Sequence, residues 1–190
     1  MIRPNLLALA SLAALALPVS AALAATGDPA LDAFSSICLA SPNDYLSIVK
    51  AADAAGWTET ELVPEANDTV SVTDKAAREK SVGDVHLTLL VSRGLRHTKG
   101  GDVAEADCKV STEKPDPGVV DKTKSWLGFA PDSGDATLAV FYVKPGGGQP
   151  AHIDGGPTAL NTAMSSGGFS VIKAQQDQSS SILVYTRFSK

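Results

Sequence analysis

The run DVHLTLLV (Asp84–Val91), followed by AEADCKV (Ala104–Val110), is the stretch on which the fold turns. In the first run Val85, Leu87, Leu89 and Val91 recur at every second position. In the second, Ala104, Ala106, Cys108 and Val110 alternate with Glu105, Asp107 and Lys109. Period-two hydrophobicity marks a strand with one buried face. The two runs therefore predict a hairpin, joined by the loop GLRHTKGGD (Gly94–Asp102).

Further along, TLAVFYVK (Thr137–Lys144) is apolar on both faces, as in a strand at the middle of a sheet covered on two sides. Gly168–Ala174 and Ile182–Phe188 flank the polar QQDQSSS and form a terminal hairpin. Helices read from their caps. Asp28-Pro29 opens a first helix with Leu31, Phe34, Ile37 and Cys38 on one face. Ser41-Pro42-Asn43-Asp44 opens a second, with Tyr45, Ile48, Val49, Ala52 and Ala55 inward, Gly56 as its stop and Trp57 folding back on the last turn. Asp116-Pro117-Gly118 starts a third, with Val119, Val120, Thr123, Trp126 and Leu127 inward, and Gly128 closes it. Pro157–Ser166 makes a fourth. Residues 58 to 83 are polar and read as the least organised segment, with a short alternating run at Thr69–Thr73 and a helical turn at Asp74–Lys80. This order predicts an α+β fold: an antiparallel sheet of about five strands with helices mainly on one face.

The chain has 190 residues and a net charge of −5. Residues 1 to 25 read as a cleavable bacterial signal peptide: Arg3, an apolar Leu6–Leu17, Pro18, and Ala22-Leu23-Ala24 before the cut. The apolar part is too short to span a bilayer, and Cys38 lies too far downstream for lipid attachment. Residues 26 to 190 form a single domain, periplasmic or secreted. An acidic balance without a Lys/Arg cluster excludes nucleic acid and anionic membranes as partners. In an oxidising compartment the two cysteines, Cys38 and Cys108, pair as one disulfide.

No motif calls for a cofactor or a metal. His86, His97 and His152 lack metal-helix spacing, and Asp132-Ser133-Gly134-Asp135 is a turn rather than a calcium loop. There is no G-x-S-x-G elbow, and Ser165-Ser166-Gly167 and Ser179-Ser180-Ser181 have no base nearby in sequence, although triads also assemble from distant residues. The most site-like string is His152-Ile153-Asp154-Gly155-Gly156. There a histidine and a carboxylate two apart share one side of an extended segment, beside a helix start, within a glycine-rich stretch from Pro145 to Thr158. His152, Asp154, Gly155 and Gly156 are the candidate ligand-binding residues.

FSSIC (Phe34–Cys38), AADAAGW (Ala51–Trp57) and ADCKV (Ala106–Val110) resemble a group of small exported proteobacterial proteins of uncharacterised activity. The resemblance implies an exported α+β domain with a disulfide, and no reaction. Together these features favour a non-enzymatic protein-binding accessory, inhibitor or immunity protein. A periplasmic small-molecule binder and a cell-envelope hydrolase are the alternatives.

Overall fold

The computed structural model describes residues 26–40, 44–62 and 70–189. The signal-peptide reading of residues 1 to 25 and the cap residues Ser41–Asn43 lie outside them. The fold is α+β, with one antiparallel sheet of eight strands rather than about five. The strands are β1 (Thr58–Glu59), β2 (Val70–Val82), β3 (Val85–Thr98), β4 (Gly101–Thr112), β5 (Ser133–Gly134), β6 (Leu138–Val143), β7 (Ser170–Gln176) and β8 (Ser181–Ser189). They lie in the order β1-β2-β3-β4-β8-β7-β6-β5. The helices are α1 (Pro29–Ala33), α2 (Tyr45–Ala54), α3 (Val119–Leu127) and α4 (Gly156–Ser166). α1 runs on into a π-helical turn at Phe34–Leu39.

The caps form as their residue types dictate. The Asp28 carboxylate accepts the N–H groups of Ala30 and Leu31, and Asp44 accepts those of Leu46 and Ser47. At the end of α2, Gly56 takes φ 77°, its N–H reaching the Asp53 carbonyl and that of Trp57 the Ala52 carbonyl. This 6→1 and 5→2 pattern seats the Trp57 ring in the core. Ala55, expected on the inner stripe, is exposed instead, because as the C-cap it has already left the helical repeat.

Leu31, Phe34, Ile48, Val119 and Leu127 from the helices share one buried cluster with Leu89, Val110, Leu183, Ile172 and Phe141 from the sheet. The Cys38–Cys108 disulfide, with Cα atoms 5.5 Å apart, fastens the π-helical turn to β4. Beside it Tyr185 is buried, its hydroxyl donating to the Ser170 hydroxyl at 3.0 Å.

Three further expectations are corrected. The helical turn at Asp74–Lys80 is part of β2, paired with β3 along its length and carrying a bulge between Val72 and Asp74. Its inward position is filled by Arg78, whose Nε donates to Asp53 of α2 at 2.8 Å, so a charge stands where periodicity seeks an apolar residue. The loop Gly94–Asp102 shrinks to a two-residue turn at Lys99-Gly100, since Thr98 pairs with Gly101. Strands β3 and β4 thus extend past the helical layer, where Leu95 and His97 are exposed and alternation has nothing to record. The apolar run at Thr137–Lys144 contains β6, which lies next to the short edge strand β5; the middle of the sheet is β4 and β8. In β6 only Ala139, Phe141 and Val143 are buried, while Leu138, Val140 and Tyr142 are half-buried. Its second apolar face is therefore open rather than covered.

Candidate functional site

The side chains of β3 to β8 that point away from the helices form cross-strand rows. Leu90, Lys109, Val184, Lys173 and Val140 are successive partners across β3, β4, β8, β7 and β6. On one side runs the row Thr88, Ser111, Ile182, Gln175 and Leu138. On the other runs Ser92, Asp107, Thr186, Val171 and Tyr142. Every one of these residues is half-buried, with part of its side chain reaching solvent. An antiparallel sheet with one face in water ordinarily places polar side chains there. This one places aliphatic residues at Leu90, Val184, Val140, Ile182, Val171 and Leu138, with the ammonium groups of Lys109 and Lys173 between them.

One end of this face carries a buried ionic cluster. Glu105, only 2 % exposed at its side chain, is held by Arg96, whose Nε donates to one carboxylate oxygen and whose Nη2 donates to the other at 2.7 Å. Two residues on, Asp107 accepts the Thr186 hydroxyl at 2.5 Å. Burial pushes the Asp107 carboxyl up to about 6; the Thr186 hydrogen bond and Arg96 oppose the shift, and the adjacent Glu105 adds to it. The Arg96 guanidinium also lies 5.9 Å from the centre of the Phe188 ring, which stacks on Phe169 at 4.6 Å.

The histidine and carboxylate singled out from the sequence do meet. His152 Nδ1 is 2.9 Å from Asp154, and its Nε2 is 3.1 Å from Asp132, a residue read only as part of a turn. Burial by itself lowers the His152 pKa, but the hydrogen bonds to Asp154 and Asp132 outweigh it and hold the value above 6.5. The ring lies against Phe129, 4.7 Å between centres, and Asp132 also accepts the Tyr142 N–H at 2.7 Å. Both ring nitrogens are therefore engaged within the protein, and the arrangement is a charged clip fastening the segment before α4 to the loop after α3. Gly155 and Gly156 take φ 108° and 65° at the start of α4, where no side chain caps the helix.

A cleft of about 250 Å³ lies between the starts of α1 and α3 and the ends of β3 and β4. Its central cation, Lys122, is shared by Asp28 at 2.7 Å and Asp116 at 2.6 Å. Both carboxylates also cap backbone N–H groups, so the cleft is internally satisfied. Among the described residues no group of three or more His, Cys, Asp or Glu could hold a metal ion, and no helix is long and apolar enough to cross a membrane.

In the sequence Glu105, Asp107 and Lys109 are only the polar positions that alternate with Ala104, Ala106, Cys108 and Val110. The missing information was the partner strand: only with β8 beside β4 do Thr186, Val184 and Phe188 complete the surface. No protein-family model, curated protein or solved structure matches the chain.

Proposed function

We propose that this protein is an exported binding protein, an accessory, inhibitor or immunity protein, that grips another envelope or secreted protein on the open face of its sheet. The row Leu90–Lys109–Val184–Lys173–Val140 carries this reading. Contiguous aliphatic surface that reaches solvent is a recurrent feature of protein-interaction sites. Lys109 and Lys173 set two ammonium groups into it, on a chain whose net charge is −5. The complementary partner presents apolar side chains interleaved with carboxylates, so that the charges at the rim set orientation and the aliphatic centre supplies affinity. The disulfide between α1's extension and β4 suits an oxidising compartment.

A zero-length carbodiimide coupling, which joins amines to carboxylates in contact, tests this on the envelope fraction of the producing cells. The expected products are acidic partner peptides joined to Lys109 or Lys173, and their loss in a Lys109→Glu/Lys173→Glu variant of unchanged melting temperature. Capture of the same partner by that variant at wild-type yield overturns the assignment.

A further inference from the structure

Beyond the helical layer, where β3 and β4 run on to their turn, three side chains from three strands form a chain of hydrogen bonds. The Ser71 hydroxyl on β2 lies 2.8 Å from His97 Nε2 on β3, and His97 Nδ1 lies 2.8 Å from the Asp102 carboxylate on β4. With the carboxylate holding the proton on Nδ1, Nε2 accepts the Ser71 hydroxyl. This is the nucleophile, base and orienting acid of covalent acyl transfer, recognised by geometry rather than by chain order. His97 and Asp102 face each other directly across β3 and β4. Ser71 is set beside them by the β2–β3 pairing just before the bulge.

Three further observations bear on a substrate. A groove of about 410 Å³ begins next to Ser71: its cross-strand partner Leu95 and the nearby Thr73 line it, together with Ala104, Ala106 and Arg187. Three strand spacings, about 14 Å, separate β2 from β8, and on β8 Arg187 has no hydrogen-bond or ion-pair partner among the described residues. Along Val70–Ala76 the outer edge of β2 is paired with no strand among the described residues. Backbone N–H groups on that edge are the donors on hand for an oxyanion.

We infer that Ser71, His97 and Asp102 constitute an ester-hydrolysing site, separate from the binding face, for elongated carboxylic esters with an anionic end. His97 Nε2 takes the Ser71 proton as Oγ bonds to the ester carbonyl carbon. The tetrahedral oxyanion collapses, the C–O bond to the alcohol breaks, and His97 returns the proton to the leaving oxygen. Water, deprotonated by His97, then attacks the acyl-serine, and the acid leaves with Ser71 restored. Ser71 and His97 are catalytic residues; Asp102 is a positioning residue. Arg187 holds the anionic end.

The probes are 4-nitrophenyl acetate, the 4-nitrophenyl half-ester of dodecanedioic acid, whose extended chain matches the three-strand span, and a fluorophosphonate. The expected result is fluorophosphonate adduct on Ser71 by peptide mass spectrometry and turnover of both esters. Turnover falls at least about tenfold in Ser71→Ala and His97→Ala, against a His86→Ala control at wild-type rate. Asp102→Asn lowers kcat with KM unchanged and displaces the pH profile, and Arg187→Ala raises KM for the dodecanedioate half-ester alone. All three triad side chains are exposed, so these variants fold. Equal rates in wild type and Ser71→Ala, or adduct elsewhere than Ser71, overturn the inference.

Discussion

Cys38 is bonded to Cys108 at a point where the strand bearing Cys108 has Tyr185 as its partner on the other side. The bond thus joins the first helical segment to the middle of the sheet, closing a loop of 70 residues. In the chain-entropy account such a loop contributes about 4 kcal/mol. The Cys38→Ala/Cys108→Ala variant is expected to unfold at a lower denaturant concentration with a stability loss of that order. An unchanged midpoint would show that packing of Phe34 and Ile37 alone holds the segment.

Asp107 gives stability a pH dependence of definite sign. Its carboxyl is raised from 3.8 to about 6. Between those values the folded protein holds a proton that the unfolded chain has released, so stability falls as pH rises through this window. Asp107→Asn keeps an acceptor for Thr186 and removes the buried charge. It is expected to be more stable than wild type by roughly 1–3 kcal/mol at about pH 7, the advantage vanishing below about pH 4. Denaturant titrations at the two pH values check this; an advantage that persists in acid would refute it.

The His152 clip shifts stability in the same sense as Asp107, because its pKa is also raised in the folded state, but in a window that begins at the ordinary histidine value. A histidine whose folded pKa is raised contributes its full stabilisation below the unfolded value and loses it as pH rises through the folded one. His152→Ala is expected to cost about 1 kcal/mol at about pH 5.5 and markedly less at about pH 8.5. Amide exchange in 153–158 should accelerate in the same variant, because Asp132 and Asp154 no longer share a donor. A cost independent of pH would mean that stacking on Phe129 is the whole of the contribution.

At Gly94, the partner of Val72, there is no room for a side chain between β3 and the β2 backbone. A Cβ there would collide with the Ser71 carbonyl and meet the Val72 Cα at 2.9 Å, both backbone atoms with no rotamer to adjust. Gly94→Ala is expected to destabilise by roughly 1–3 kcal/mol and to increase amide exchange in Val70–Asp74, with α2 and the terminal hairpin unaffected. Protection of Val70–Asp74 equal to wild type would place the strain elsewhere.

What was legible in the sequence is what neighbouring residues decide. Asp28 and Gly128 mark helix ends, Gly56 and Trp57 a closed C-terminus, and the β7–β8 hairpin alternates cleanly, all through contacts within a few residues. The two cysteines were legible because an even pair behind a stretch that reads as a signal peptide leaves few alternatives for them. β2 was hidden because Asp74 to Lys80 reads as helical surface, and only pairing with β3 and the Arg78–Asp53 bond make it a strand. Sheet order was hidden because hydrophobicity on two faces signals apolar surroundings without distinguishing a covering layer from an open surface. His152 and Asp154 were found together because they are adjacent, whereas Asp132 and the Ser71–His97–Asp102 chain depend on register between strands.

Since β4 takes its second partner from Ser181–Ser189, the sheet is completed late in the chain's history. Until that segment is present, the β1–β4 and β5–β7 portions are separate ribbons, each with a long open edge of the kind that recruits foreign strands. Loss of β8 therefore splits the sheet through its middle rather than trimming its border. A truncated chain is expected to aggregate rather than fold into a smaller version of the same protein.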